Sequence, residues 1–301
     1  MKKLLAALCI GLSFYVTAQD IESEEVDTAW KTGVSINLNL TQVSLTKWVG
    51  GGVNSVAFAG NVGAFANYKK GKHSWNNRIG IAYGMIRQDD FETWRKSDDQ
   101  ITFISRYGYE FAKHWSIVGY VDFQTQMDVG YEYGTDSTGS ETRKFISRFM
   151  SPGYLISNVG LEYAPSENFK MTIAPLGAGK TTFVLDDDLS DAGAFGVDPG
   201  KHVRYELGAN FNLYAKKEIM ENISIETLLN LFQNYQTPEE IDVDWRVLLE
   251  LKVNKLVNVT FATHMIYDAD VDIAREDGTT GPDTQFKQVL AVGFGYSLKN
   301  H

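Results

Sequence analysis

Cysteine occurs once in these 301 residues, at Cys9, and proline only six times. Cys9 lies inside an apolar N-terminal run, so the chain beyond it has no disulfide framework, thiolate metal site or cysteine nucleophile. Nowhere is there the stretch of ~18 consecutive apolar residues that a transmembrane helix requires. Basic residues are the minority: 28 Lys and Arg face 38 Asp and Glu, for a net charge of −10. That balance disfavours nucleic acid as a partner, because a polyanion is repelled by an acidic surface.

Glycine and aromatics are abundant instead: 27 Gly, 17 Phe and 15 Tyr. The chain opens with Lys2 and Lys3 before an apolar run that ends at the small residue Ala18. Residues 1–18 therefore read as a secretory signal peptide. Cys9 follows Leu8 where a lipoprotein would carry a small residue, which argues against a lipid anchor. The polar, acidic stretch 19–29 reads as a short periplasmic tail, and 30–301 as one β-domain.

From Trp30 onward apolar and polar residues alternate with period two, the spacing that puts successive strand side chains on opposite faces. Val34, Ile36, Leu38 and Leu40 alternate with Gly33, Ser35, Asn37 and Asn39. The pattern recurs in twelve segments, each long enough to cross a bilayer at the usual strand tilt. The last, 285–298, sets Phe286, Leu290, Val292, Phe294, Tyr296 and Leu298 against Lys287, Ala291, Gly293 and Ser297. Gly293, Phe294, Tyr296 and Leu298 in this strand resemble the C-terminal assembly signal of bacterial outer-membrane barrels. Short connections alternate with longer, often acidic ones, notably 128–153, 186–201 and 269–284. The expected fold is all-β: a 12-stranded antiparallel transmembrane outer-membrane β-barrel whose first and last strands pair. Pro175 lacks a ladder N–H, so the seventh strand should bulge or end there.

On the apolar parity, Trp30, Tyr68, Trp75, Phe111, Trp115, Tyr163 and Tyr296 fall near strand ends, as interfacial girdles require. The opposite parity carries both charge signs: Arg78, Arg106, Arg204 and Arg246 against Glu110, Asp122, Glu162, Glu206, Glu226, Asp242, Asp244 and Glu250. Two readings follow. The charges pair across a narrow lumen and hold the wall, or they line a conduit selective by charge.

Apparent catalytic and metal motifs do not hold up. Residues 174–181 fit a permissive phosphate-loop pattern, yet Thr181 to Leu185 is β-prone where a helix should begin. His114-Trp115-Ser116 resembles the His-x-Ser pair of the outer-membrane phospholipase, but it falls at a short turn with no placeable Asp or Asn partner. Asp268, Asp270 and Asp272 mimic the start of a calcium loop without its glycine and closing glutamate. The acidic run 186–191 reads as solvated loop. No catalytic, cofactor or metal residue is assigned. A separate stretch, Gln42 through Trp48, Gly51, Gly52 and Asn54, breaks the alternation and reads as an ordered loop at the barrel mouth.

Gln42-Val43-Ser44-Leu45, Trp48, Gly51 to Ser55, Gly193 to Gly196, Leu231-Phe232, Asn234-Tyr235 and Ile266 to Asp268 together resemble an exported family of Bacteroidota. It is catalogued as domain of unknown function 3078, and the resemblance covers nearly the whole mature chain. It implies an outer-membrane-associated protein and brings no catalytic residues. The expected function is a non-enzymatic passive channel or transport accessory for small solutes. Alternatives are a plugged barrel acting as scaffold in an envelope assembly and, behind it, a lipid hydrolase. Expected partners are outer-membrane lipid, the barrel-assembly machinery during biogenesis, and an envelope protein.

Overall fold

Period-two alternation over long segments closes into a ring. In a computed structural model, described for residues 29–45, 53–89, 93–238, 240–254, 257–274 and 279–299, twelve long strands form an antiparallel closed barrel. They are β1 (Trp30–Val43), β2 (Ser55–Lys70), β3 (His73–Gln88), β4 (Arg95–Ala112), β5 (Trp115–Thr125), β8 (Gly153–Ser166), β9 (Phe169–Phe183), β10 (Val203–Met220), β11 (Ile223–Asn234), β12 (Ile241–Lys252), β13 (Val257–Tyr267) and β16 (Gln285–Lys299). Each pairs with its chain neighbour, and β16 closes on β1 from Gly33↔Lys299 to Leu38↔Phe294. Six residue pairs make this closure, and among the described residues 39–43 of β1 and 285–293 of β16 have no ladder partner across the seam. The expected signal peptide and most of the tail lie outside the described residues.

The outward parity is an apolar belt. Leu40 is 75% exposed and Leu290 68%, with Val34, Ile36, Leu161, Ile173 and Leu207 also facing outward. At the short-turn end, register aligns Trp30↔Tyr68, Tyr68↔Trp75 and Trp75↔Tyr107 into one aromatic row. Trp30 lies 5.1 Å from Tyr68 and 5.8 Å from Trp75, centroid to centroid, and Trp115 5.1 Å from Tyr163.

The bulge expected at Pro175 is present. Residues 175–177 of β9 stand opposite Ala209 alone, between the pairs Gly208↔Ala178 and Asn210↔Ala174. Two extra residues leave the parity unchanged beyond the bulge, so β9 continues inward-outward to Phe183.

The long connections contain more structure than their composition suggests. Residues 128–153, read as a Gly- and Ser-rich loop, hold a hairpin of β6 (Gly130–Thr135) and β7 (Glu141–Ser147). Within 269–284, β14 (Asp272–Ala274) pairs with β15 (Thr280–Pro282). Such short strands carry too few alternations to register as a pattern. The run 186–191 is not plain solvated loop either. It forms α1 (Asp187–Asp191), followed by a 3-10 turn at 194–196, and Leu189 and Val197 pack with Val184 in a small buried cluster.

Asp186 fastens this segment. Its carboxylate caps α1 by accepting from Leu189 N at 3.1 Å and from Arg148 Nη1 at 3.0 Å. Partial burial pulls the Asp186 carboxyl up, but these bonds outweigh it and leave it below its usual range. A depressed folded value gives order that is complete above the unfolded value and lost as pH falls through the folded one. Amide protection factors across 187–193 should be high at neutral pH and fall only in acid. Equal protection down to pH 2 would rule out this role for Asp186.

Candidate functional site

The inward parity of the twelve strands builds the lumen. The bulge in β9 keeps Lys180 pointing inward near the long-loop end, where it is 5% exposed. Its Nζ donates to Asp242 Oδ2 at 2.5 Å and Asp268 Oδ2 at 2.6 Å, and lies 3.9 Å from Glu206. Beside it Arg204 reaches Glu206 at 3.0 Å and Asp270 at 3.3 Å, and donates to the Gly196 carbonyl at 3.1 Å. Two long connections are thereby tied onto lumen cations: 184–202 through Gly196, and 268–284 through Asp268 and Asp270.

At mid-height Arg246 of β12 bonds Asp244 at 2.7 Å and lies 3.6 Å from Asp122 of β5, on the far wall. Gln124 of β5 donates to Asp244 at 3.0 Å, and His264 Nε2 lies 3.0 Å from the same carboxylate. Toward the turn end, Arg106 forks onto Glu162 through Nε and Nη2, both side chains buried. Arg78 of β3 meets Glu226 of β11 at 2.9 Å, and Lys216 joins Glu226 at 3.1 Å. Around the ring β3 and β11 have five strands between them either way, so this pair spans the lumen. Among the described residues no ion pair reaches Glu110 or Glu250, which lie near the turn rim.

Two amide ladders complete the inner face. Asn158 donates to Asn210 at 2.8 Å and Asn210 to Asn230 at 2.6 Å, all three buried on the β8–β11 wall. On the opposite wall Asn37 donates to Asn61 at 2.9 Å, and Asn258 reaches over β16 to Asn37 at 3.2 Å. Beside the second ladder lies a cavity of about 520 Å³, bordered by β1–β4, β11–β13 and β16. Charge and amide fill the β8–β11 side of the lumen, while this cavity lies on the other side and extends to the unpaired part of the β1–β16 seam.

Lys180 is the group that the sequence pattern did not single out, although its parity beyond Pro175 would have found it. His264 and Asp268 fall on the polar parity of β13, but neither they nor Asp270 are among the charges that the pattern assigns to the lumen network. The lysine of the phosphate-loop lookalike sits within β9 near its long-loop end, not at a helix N-terminus. His114 occupies a turn with φ +66°, its carbonyl accepting from Ala164 N at 2.8 Å. Of the mouth stretch, Trp48, Gly51 and Gly52 lie outside the described residues. Gln42 belongs to β1, not to the loop, and pairs with Val56, while Asn54 accepts from Leu45 N at 2.6 Å and donates to Asp89 at 2.5 Å. Gly293 pairs with Asn258, Phe294 with Val257, and Tyr296 and Leu298 with Ile36 and Val34. Among the described residues no helix is long and apolar enough to cross a membrane, and no group of three His, Cys, Asp or Glu is placed to hold a metal.

A search of the curated proteins gives no match to this sequence. Among solved structures, an outer-membrane channel from Pseudomonas putida F1 superposes with TM-score 0.40 and 9% identity, over 93% of this chain and 99% of that one. The translocator domain of the autotransporter NalP from Neisseria meningitidis gives 0.36 and 9%, over 89% and 88%. OmpT, an outer-membrane protein of Vibrio cholerae, gives 0.29 and 7%, over 92% and 99%. At these values no residue's role transfers. The family model described as protein of unknown function (DUF3078) matches residues 40–131, which takes in the Gln42–Asn54 stretch but not the motifs at 193–196, 231–235 or 266–268.

Proposed function

We propose that this chain is an outer-membrane β-barrel that passes small solutes through a narrow, off-centre passage and performs no catalysis. The belt of outward Leu, Ile and Val would be costly in water over so large a contiguous area, and its aromatic row suits a lipid–water interface. Lipid is then its surrounding partner, and the barrel-assembly machinery its partner during insertion. Leu290→Arg should cost about 2–4 kcal/mol if that position faces the bilayer midplane. Urea titration of the vesicle-inserted protein measures this, and a variant as stable as the parent would exclude lipid at that face.

The observation that carries the channel reading is the asymmetric lumen. A wall-stabilising scaffold would pack both sides, whereas here a cavity runs beside the charged wall. Ion pairs bound it: Lys287–Asp98 at 2.5 Å nearer the long loops, and Arg78–Glu226 nearer the turns. In planar bilayers the purified protein should give small, discrete conductance steps, and Arg78→Ser should enlarge them by removing the lower bar. Silence from both proteins would discard the channel in favour of the second reading, a plugged scaffold. That reading draws on the same cross-lumen bars and on the loops tied to Lys180 and Arg204. Co-purification of a stoichiometric envelope protein from native membranes would then be expected.

A further inference from the structure

The hollow side of the lumen has a chemistry of its own. Its wall is rich in neutral hydrogen-bonding groups, with Asn37, Asn39, Asn61 and Asn258 as amides and Thr102 and Thr260 as hydroxyls. Interspersed among them are four aliphatic side chains, Ile104, Leu228, Leu248 and Val289, and along the unpaired part of the β1–β16 seam the cavity also reaches Phe58, Leu290 and Val292 of the outward face. Every charged side chain at its border is already engaged by an opposite partner. Arg78 holds Glu226, Lys287 holds Asp98, and Arg246 and His264 share Asp244. The surface therefore offers many donors and acceptors and no spare charge.

The amide wall is built by the strand that closes the barrel. Gly293 and Gly295 of β16 stand opposite Asn258 and Asn37, so no side chain separates the two amides. A Cβ at Gly293 would lie 1.8 Å from Oδ1 of Asn39. Glycine at 293 is thus required for Asn39 to lie over β16.

We infer that this cavity is a binding site for a neutral, hydroxyl-rich solute of one or two sugar rings. This deepens the channel reading and rests on it for transport, not for binding. A volume of 520 Å³ falls in the range of small-molecule sites. Amide and hydroxyl groups satisfy sugar hydroxyls, and the aliphatic side chains meet the C–H face of the ring. A charged solute of equal size finds no unpaired counter-ion and must share one already held by a partner, which weakens the compensation for burying its charge. Discrimination against charge should reach at least about tenfold, since each 1.4 kcal/mol supplies a factor of ten.

Two measurements on the full barrel decide the matter, with D-glucose, gluconate and glucosamine as probes. Saturation-transfer NMR on detergent-solubilised protein should give signal from glucose and little from either charged probe, and Asn37→Leu should weaken the glucose signal. Uptake into proteoliposomes at zero potential should favour glucose in the same order. Asn61→Asp should shift the preference toward glucosamine, and resistance of the folded form to heat in detergent checks that each variant still folds. Glucose binding without uptake supports the site and removes the channel reading. Uptake at equal rates with no selective binding keeps the channel and overturns the site. Absence of glucose transfer to a folded barrel overturns the site whatever the uptake result.

Discussion

Glu162→Ala should destabilise the barrel by about 3–5 kcal/mol, among the largest losses available to any single change in it. Glu162 is 1% exposed and takes both arms of the Arg106 fork, while Thr172 Oγ1 donates to the same carboxylate at 3.4 Å. Removing the acid leaves a guanidinium buried without a counter-ion, and the loss measures that uncompensated charge more than the net worth of the pair. The double change Arg106→Met with Glu162→Leu tests the distinction, because replacing both ions by apolar groups of similar volume is often nearly neutral. Urea unfolding of vesicle-inserted protein, followed by tryptophan fluorescence, should rank the single variant far below the double one. A Glu162→Ala barrel within 1 kcal/mol of the parent would mean that water reaches Arg106 freely.

The architecture was legible because a barrel wall writes itself in period two. Alternation from Trp30 to Leu40 and from Gln285 to Leu298 identifies both the strands and the pair that closes them. The proline at 175 announced a bulge, since no other residue removes a ladder donor. Less could be read of the lumen. Parity says that Arg78 and Glu226 point inward, but which charges meet depends on height and on position around the ring, which no local pattern encodes. Glu110 and Glu250 share that parity with Arg106 and Arg246 and still end near the rim. The short hairpins and α1 escaped because tertiary packing, such as Leu189 against Val184 and Val197, stabilises segments too brief to show a period. Leu228, Leu248 and Phe232 also run against the binary pattern. They are apolar on the inward parity, and two of them border the cavity.

Lys180→Met is expected to open the long-loop end as well as to destabilise it. Without the ammonium, Asp242 and Asp268 face each other with Glu206 nearby, and Arg204, the remaining cation, already serves Glu206 and Asp270. Like charges held close repel, and the repulsion is relieved by moving whichever partner sits on the softer element. Asp242 is fixed at the start of β12, whereas Asp268 follows the end of β13, so the connection 268–284 should swing outward. Asp270 would then be drawn off Arg204, whose hold on the Gly196 carbonyl also anchors residues 184–202. The stability loss should be about 3–5 kcal/mol, the cost of stripping one partner from a buried ionic cluster. Trypsin should cut the variant at Lys201 under conditions that leave the parent whole, and conductance should rise with the wider mouth. Lys180→Arg, which keeps the charge, should retain most of the protection. Loss of stability without new cleavage at Lys201 would show that Lys180 braces the wall alone and leaves the loops to their own packing.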